Sequence, residues 1–183
     1  MESTPRRSHP ILSRAGASAG ASRPLLLLDV DGVLSLFGFD PASPPPGRPA
    51  MVDGHPHWLS ATAGPLVTEL TAVFEVVWCT GWEERAPEHL PRLLGLAGAP
   101  FPHLTFGPTA AAGRHWKLDA IDAFAEPGRP AAWVDDAFDE SCRAWAAARP
   151  GPTLLVPTDP AVGLTAEHAA ALAAWAARPS RLE

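Results

Sequence analysis

Five short apolar runs, at 25–28, 74–78, 104–106, 131–134 and 153–156, limit what this chain can fold into more than any other feature. Each is strand-length and lacks a clean apolar/polar alternation, the pattern of strands buried on both faces. Helical spacing fills the intervals. One helix is predicted over 64–73 with Pro65 near its start, and a second over 82–94. A third is predicted over 115–124 with Trp116, Ala120, Ala123 and Phe124 on one side. A fourth covers 139–148, and a fifth runs from Thr165, a good N-cap, to about residue 177 before Pro179. Strands that alternate with helices imply right-handed crossovers. The expected architecture is an α/β doubly wound, mainly parallel five-stranded sheet with helices on both faces. In such sheets ligands bind beyond the carboxyl ends of the strands, so the residues at those ends carry the functional information.

A length of 183 residues fits one domain able to bury roughly 70% of its unfolded surface. With 46% hydrophobic and 19% charged residues the chain is not of the disordered class, although 22 prolines and 15 glycines demand many short connections. The net charge of −6 is spread without long acidic or basic blocks, which argues against an extended nucleic-acid surface. Cys79 and Cys142 are too few for a disulfide framework and lack C-x-x-C spacing, so a cytoplasmic location is expected. No apolar run approaches the ~20 residues of a membrane span. Residues 1–23 contain Arg6-Arg7, as in a twin-arginine leader, but no apolar stretch follows, and a disordered tail ahead of a domain over 24–183 is expected instead. Residues 38–57, rich in proline, form the one long irregular stretch. A loop of that length is uncommon unless it serves as a lid, and a flap at about 35–63 is expected. His55 and His57 are spaced to share one face of it beside Trp58, although loop histidines are more often simply solvated.

The strand ends are polar in a definite order. The first run ends in Asp29-Val30-Asp31-Gly32, which puts two carboxylates on one face if the extended geometry continues. Two such charges repel unless a cation lies between them or one takes a proton, and magnesium suits the pair. The second run ends in Cys79-Thr80-Gly81, a hydroxyl and a glycine amide suited to phosphate oxygens or, alternatively, to capping a helix. Lys117 is the only lysine beside 13 arginines. A compact ammonium there can neutralise a phosphate and a carboxylate together, or simply be solvated. The fourth run ends in Asp135-Asp136, with Asp139 and Glu140 following. Acids directly after a buried strand are costly without a metal or hydrogen bonds, while a helix start accounts for Asp136, Asp139 and Glu140 equally well.

In that order, acid pair, hydroxyl, lysine, acid pair, the chain resembles the haloacid-dehalogenase (HAD) superfamily over about residues 25–156. The resemblance implies a Rossmann-like, HAD-like sheet. It matches Asp29 to the nucleophile, Asp31 to the general acid/base, Thr80 with Gly81 to the phosphate-binding turn, and Lys117 to the charge-neutralising lysine. Asp29, Asp31 and Asp135 match the Mg2+ ligands, with Asp136 behind them. A second aspartate in the first motif implies phosphoryl chemistry, hence a phosphatase working through an aspartyl-phosphate, or a phosphotransferase or phosphomutase of the same fold. The intervals between motifs leave no room for a cap domain, which implies an open site for a phosphorylated small molecule or macromolecular end. Three rivals remain: a catalytically silent binding module, a receiver-type phosphoacceptor domain, whose motif order differs, and a sugar transferase, which leaves Lys117 and Asp135 unexplained.

Overall fold

The computed structural model describes residues 23–98, 101–107 and 113–178. The expected tail at 1–23 thus lies outside the described residues except for Arg23, which is tied down. Its guanidinium donates to the Thr71 carbonyl and its own carbonyl accepts from Arg129.

Four parallel strands form the main sheet: β1 (Leu25–Leu28), β5 (Glu75–Trp78), β6 (Ala131–Asp135) and β7 (Thr153–Pro157), in the order β5-β1-β6-β7. Alternate side chains feed two cores. On one face Leu26, Leu28, Val76, Trp78, Ala132 and Val134 pack against α1 (Ala63–Leu70), α2 (Arg85–Leu94) and α5 (Ala166–Ala176). On the other, Leu25, Leu27, Val77, Ala131 and Trp133 pack against α3 (Leu118–Phe124) and α4 (Glu140–Ala148). Each large apolar side chain so buried contributes roughly 1.5–3 kcal/mol of transfer free energy.

The expected fifth strand at 104–106 is reduced to a single bridge. His103 pairs with Trp78, whose N–H donates to the Pro102 carbonyl and whose carbonyl accepts from Leu104. The ladder cannot extend backwards because its next donor would be the nitrogen of Pro102, which has no hydrogen. It cannot extend forwards because the Phe106 N–H donates to the Glu83 carboxylate at 2.8 Å and the Thr80 carbonyl accepts from Glu83.

The proline-rich stretch also departs from the irregular loop expected of it. It forms an antiparallel sheet of β2 (Ser35–Leu36), β4 (His55–Ser60) and β3 (Gly47–Val52), in the order β2-β4-β3. Proline is tolerated because Pro49 lies in an edge strand and Pro56 is paired only on its β3 side, β2 reaching no further than Trp58 and Leu59. The turn at Asp53-Gly54 has positive φ at both residues, 49° and 81°, as a two-residue hairpin requires. Trp58 clamps the preceding prolines, donating from Nε1 to the Pro45 carbonyl at 3.1 Å.

The third helix starts later than expected and turns its other side inward. Leu118 and Ile121 are buried, whereas Trp116 and Phe124, expected together on one side, are 44% and 39% exposed. No helix among the described residues is long and apolar enough to cross a membrane.

Candidate active site

Register assembles the site. Leu28 pairs with Val134, and the Asp29 N–H donates to the Val134 carbonyl, so Asp29 and Asp135 leave neighbouring strands side by side at their carboxyl ends. Both continue the face made by Leu25, Leu27, Ala131 and Trp133, which α3 covers. Lys117 is the residue immediately before α3 and therefore hangs over the same strand ends. Its Nζ lies 2.7 Å from Asp29 Oδ2 and 2.6 Å from Asp135 Oδ2. All three residues are buried: Lys117 at 2% exposure, Asp29 at 7% and Asp135 at 1%.

A buried charge is tolerable only when its hydrogen-bonding capacity is met. Asp135 accepts from Lys117 and from Trp133 Nε1 at Oδ2, and from the Ala137 N–H at Oδ1. Asp29 Oδ1 accepts from the Val30 N–H at 2.8 Å. Burial is the largest influence on Asp29 and lifts its carboxyl to about 6, with Lys117 pulling down and Asp135 pushing up. Burial also acts to lower the Lys117 ammonium, but Asp29, Cys79 and Asp135 outweigh it and hold the group above its ordinary range. Cys79, beside them, is held as a neutral thiol by burial, which makes it a poor nucleophile.

Asp29, Asp135 and Asp136 offer carboxylate oxygens that all lie within 4.8 Å of one another. Burial, then Asp135, raises the Asp136 carboxyl above its usual range. Three converging carboxylates with one ammonium, paired to Asp29 and Asp135, retain excess negative charge, the environment a hard divalent cation fits. The carboxylate of Asp31, expected among the cation ligands, lies outside this cluster, and that of Asp136, expected behind them, lies inside it. Extended geometry does not continue past Asp29: the Val30 carbonyl accepts from Val33, Leu34 and Ser35, so the chain turns at once. Gly32 completes that turn at φ +71°, and a side chain there would collide with Asp136.

Asp31 instead faces outward, its side chain 51% exposed. Trp82 Nε1 donates to its Oδ2 at 2.9 Å, and His57 Nδ1 lies 3.8 Å from its Oδ1. His57 rests on the Trp82 ring, centroids 4.6 Å apart, and shares a 3.0 Å hydrogen bond with Ser35 Oγ. Burial lowers the His57 imidazole, against the pull of Asp31. His55 and Trp58 lie on the same strand, His55 exposed and Trp58 packed against Phe39.

Thr80 is buried one residue beyond Cys79, whose N–H donates to the Leu28 carbonyl, and so lies next to the Asp29 row. Its hydroxyl accepts from the Trp82 N–H at 3.4 Å, stabilising a turn, while α2 begins only at Arg85. Gly81 is exposed at the same turn. Sequence reasoning missed Trp82 and Trp133 as hydrogen-bond donors to the acids. For Trp133 a signal existed, since it lies two residues before Asp135 on one strand and shares its face.

A parallel sheet with a lysine and three acids converging at its carboxyl ends defines a HAD-type domain, a class whose members are generally hydrolases and phosphatases and typically use a divalent metal. Residues 25–169 match the family described as the HAD domain in Swiss Army Knife RNA repair proteins, and the chain belongs to it. Comparison with curated proteins finds no match.

Proposed function

We propose that this chain is a magnesium-dependent phosphohydrolase that removes a terminal phosphate through an aspartyl-phosphate on Asp29. The observation that carries this reading is the Lys117 ammonium, 2.7 Å from Asp29 and 2.6 Å from Asp135, with Asp136 in the same cluster. Asp29 attacks phosphorus in line while the bond to the leaving oxygen breaks, and Asp31 supplies the proton that oxygen needs. Water then attacks the phosphorus of the acyl phosphate, Asp31 recovers a proton from it, and Asp29 is released with inorganic phosphate. Lys117 balances the charge of Asp29 and of the equatorial phosphate oxygens, and the Thr80 hydroxyl with the Gly81 amide hydrogen-bonds those oxygens. Asp29, Asp135 and Asp136 would hold Mg2+, which supplies further neutralisation of phosphate charge when bound.

The description of the matched family, together with a strand-end site flanked by the small β2-β4-β3 flap and by no larger insertion among the described residues, favours a nucleic-acid end as the phosphate carrier over a small metabolite. Phosphate release from 3′- and 5′-phosphorylated oligonucleotides, phosphopeptides and phosphometabolites, with magnesium or EDTA, tests the reading. Wild type should release phosphate only with the cation, and Asp29→Asn should lower the rate by roughly a thousandfold or more. Equal turnover by the two proteins would refute it.

A further inference from the structure

We propose that Trp116 is the platform on which the terminal nucleobase of an end-phosphorylated nucleic acid stacks while its phosphate occupies the Asp29 site. The proposal rests on the phosphatase reading above and adds to it how the nucleotide is held. Trp116 is 44% exposed, whereas Trp78, Trp82, Trp133 and Trp145 are buried. Trp116 precedes α3, whose Leu118 and Ile121 bury the face that meets the sheet, and its ring stays at the surface. Exposing an indole forgoes burial of a large apolar surface, and such a residue beside a charged cleft fits recognition better than stability.

Its position fits the geometry of a nucleotide. The Lys117 ammonium lies 5.1 Å from the Trp116 ring centroid and 2.7 Å from Asp29 Oδ2. The ring is therefore no further than about 8 Å from the nucleophile, a span comparable with the separation of phosphate and base within one nucleotide. The ring is also held in place before any ligand arrives. Phe106 meets it edge-on at 4.6 Å and His115 lies against it at 5.9 Å. The indole edge also reaches the Thr80-Gly81 turn, close enough that a Cβ at Gly81 would stand 3.6 Å from Trp116 Cη2, in ordinary contact.

Charge points the same way. The chain carries a net charge of −6, and two of the arginines nearest in sequence to the site are already engaged, Arg114 by Asp119 and Asp122 and Arg85 by Asp53. Long-range attraction to a phosphodiester backbone is thus weak. Affinity must come from the terminal phosphate and from stacking, which tolerates any base because every base has a π-face.

The experiment compares kcat/KM for an end-phosphorylated tetra-adenylate with kcat/KM for glycerol phosphate, which has no ring. Trp116→Ala should lower the ratio of the two by about ten- to a hundredfold, and Trp116→Phe should restore most of it. A general disturbance of the site lowers both values together, and an unchanged ratio overturns the platform. A larger loss on a phosphotyrosine peptide than on the oligonucleotide overturns it as well. If wild type releases no phosphate from any substrate, the phosphatase reading fails separately. Calorimetric titration of the Asp29→Asn chain with the same oligonucleotide then decides the platform: weaker binding on adding Trp116→Ala supports it, and unchanged or absent binding overturns it.

Discussion

Trp82 holds Asp31 in place from outside the motif that contains it. An indole N–H at 2.9 Å from a carboxylate that is half in solvent restricts where the carboxylate can point, and in the proposed mechanism, where Asp31 gives and then takes a proton, the rate depends on that direction. Trp82→Phe keeps an aromatic ring beneath His57, removes the donor and leaves a small void in the part of the core that holds Ala86 and Leu90. We expect kcat to fall about tenfold with KM little changed, measured on whichever phosphomonoester the wild type turns over fastest. An equal rise in KM with kcat intact would assign Trp82 to substrate binding instead. Asp139 offers a second test at this scale. It caps α4, and hydrogen bonds from the Ser141 hydroxyl and the Cys142 N–H lower its carboxyl to about 2. A carboxyl depressed in the folded state adds stability above its ordinary range and loses it as the pH falls through the folded value. The stability difference between wild type and Asp139→Asn should therefore be constant near neutrality and should shrink between about pH 4 and pH 2, as followed by circular dichroism.

The helices were read from the sequence most securely where they begin with a side chain that accepts from the backbone. Thr165 accepts from the His168 N–H while His168 Nδ1 accepts from Thr165, a reciprocal cap that fixes the start of α5 where the sequence placed it. Thr165→Ala should cost about 1 kcal/mol and lower Tm by roughly 2–4 °C in thermal unfolding. The prolines of the flap mask its strands in the sequence, although Asp53-Gly54 between them is a strong short hairpin signal. The lost fifth strand was equally legible in principle, since Pro102 removes a ladder donor, but the competition of Glu83 for the Phe106 N–H depends on tertiary placement that no local pattern encodes. The inverted face of α3 has a similar origin. Trp116 and Phe124 outweigh Leu118 and Ile121 in bulk, and nothing in the spacing says which side the sheet will occupy.

Across the whole molecule, motif order was legible because parallel β-strand topology carries distant residues to one edge, and register then puts Asp29 beside Asp135. Which carboxylates would cluster was not legible, because the turn after Val30 redirects Asp31 while the Asp136 carboxylate stands within 4.8 Å of those of Asp29 and Asp135. On the proposed function, that arrangement couples cation binding to the stability of the entire fold. Without a cation, three carboxylates crowd together with one ammonium paired to two of them, and burial, followed by repulsion from Asp135, raises Asp136 above its usual range. A carboxyl raised in the folded state favours folding only at acid pH and works against it once the pH has passed its folded value. Asp136→Asn should consequently be more stable than wild type in EDTA at neutral pH, and the advantage should vanish in acid. Magnesium at a hundred times its dissociation constant should stabilise wild type by about 2.7 kcal/mol, or roughly 5–10 °C in Tm, because it binds the folded chain alone. The same addition should move Asp136→Asn far less, since one of the three converging oxygen donors has lost its charge. Differential scanning calorimetry of both proteins, with EDTA and with rising magnesium, measures all of these quantities. A wild-type Tm indifferent to the cation would mean that the three acids do not form a cation site.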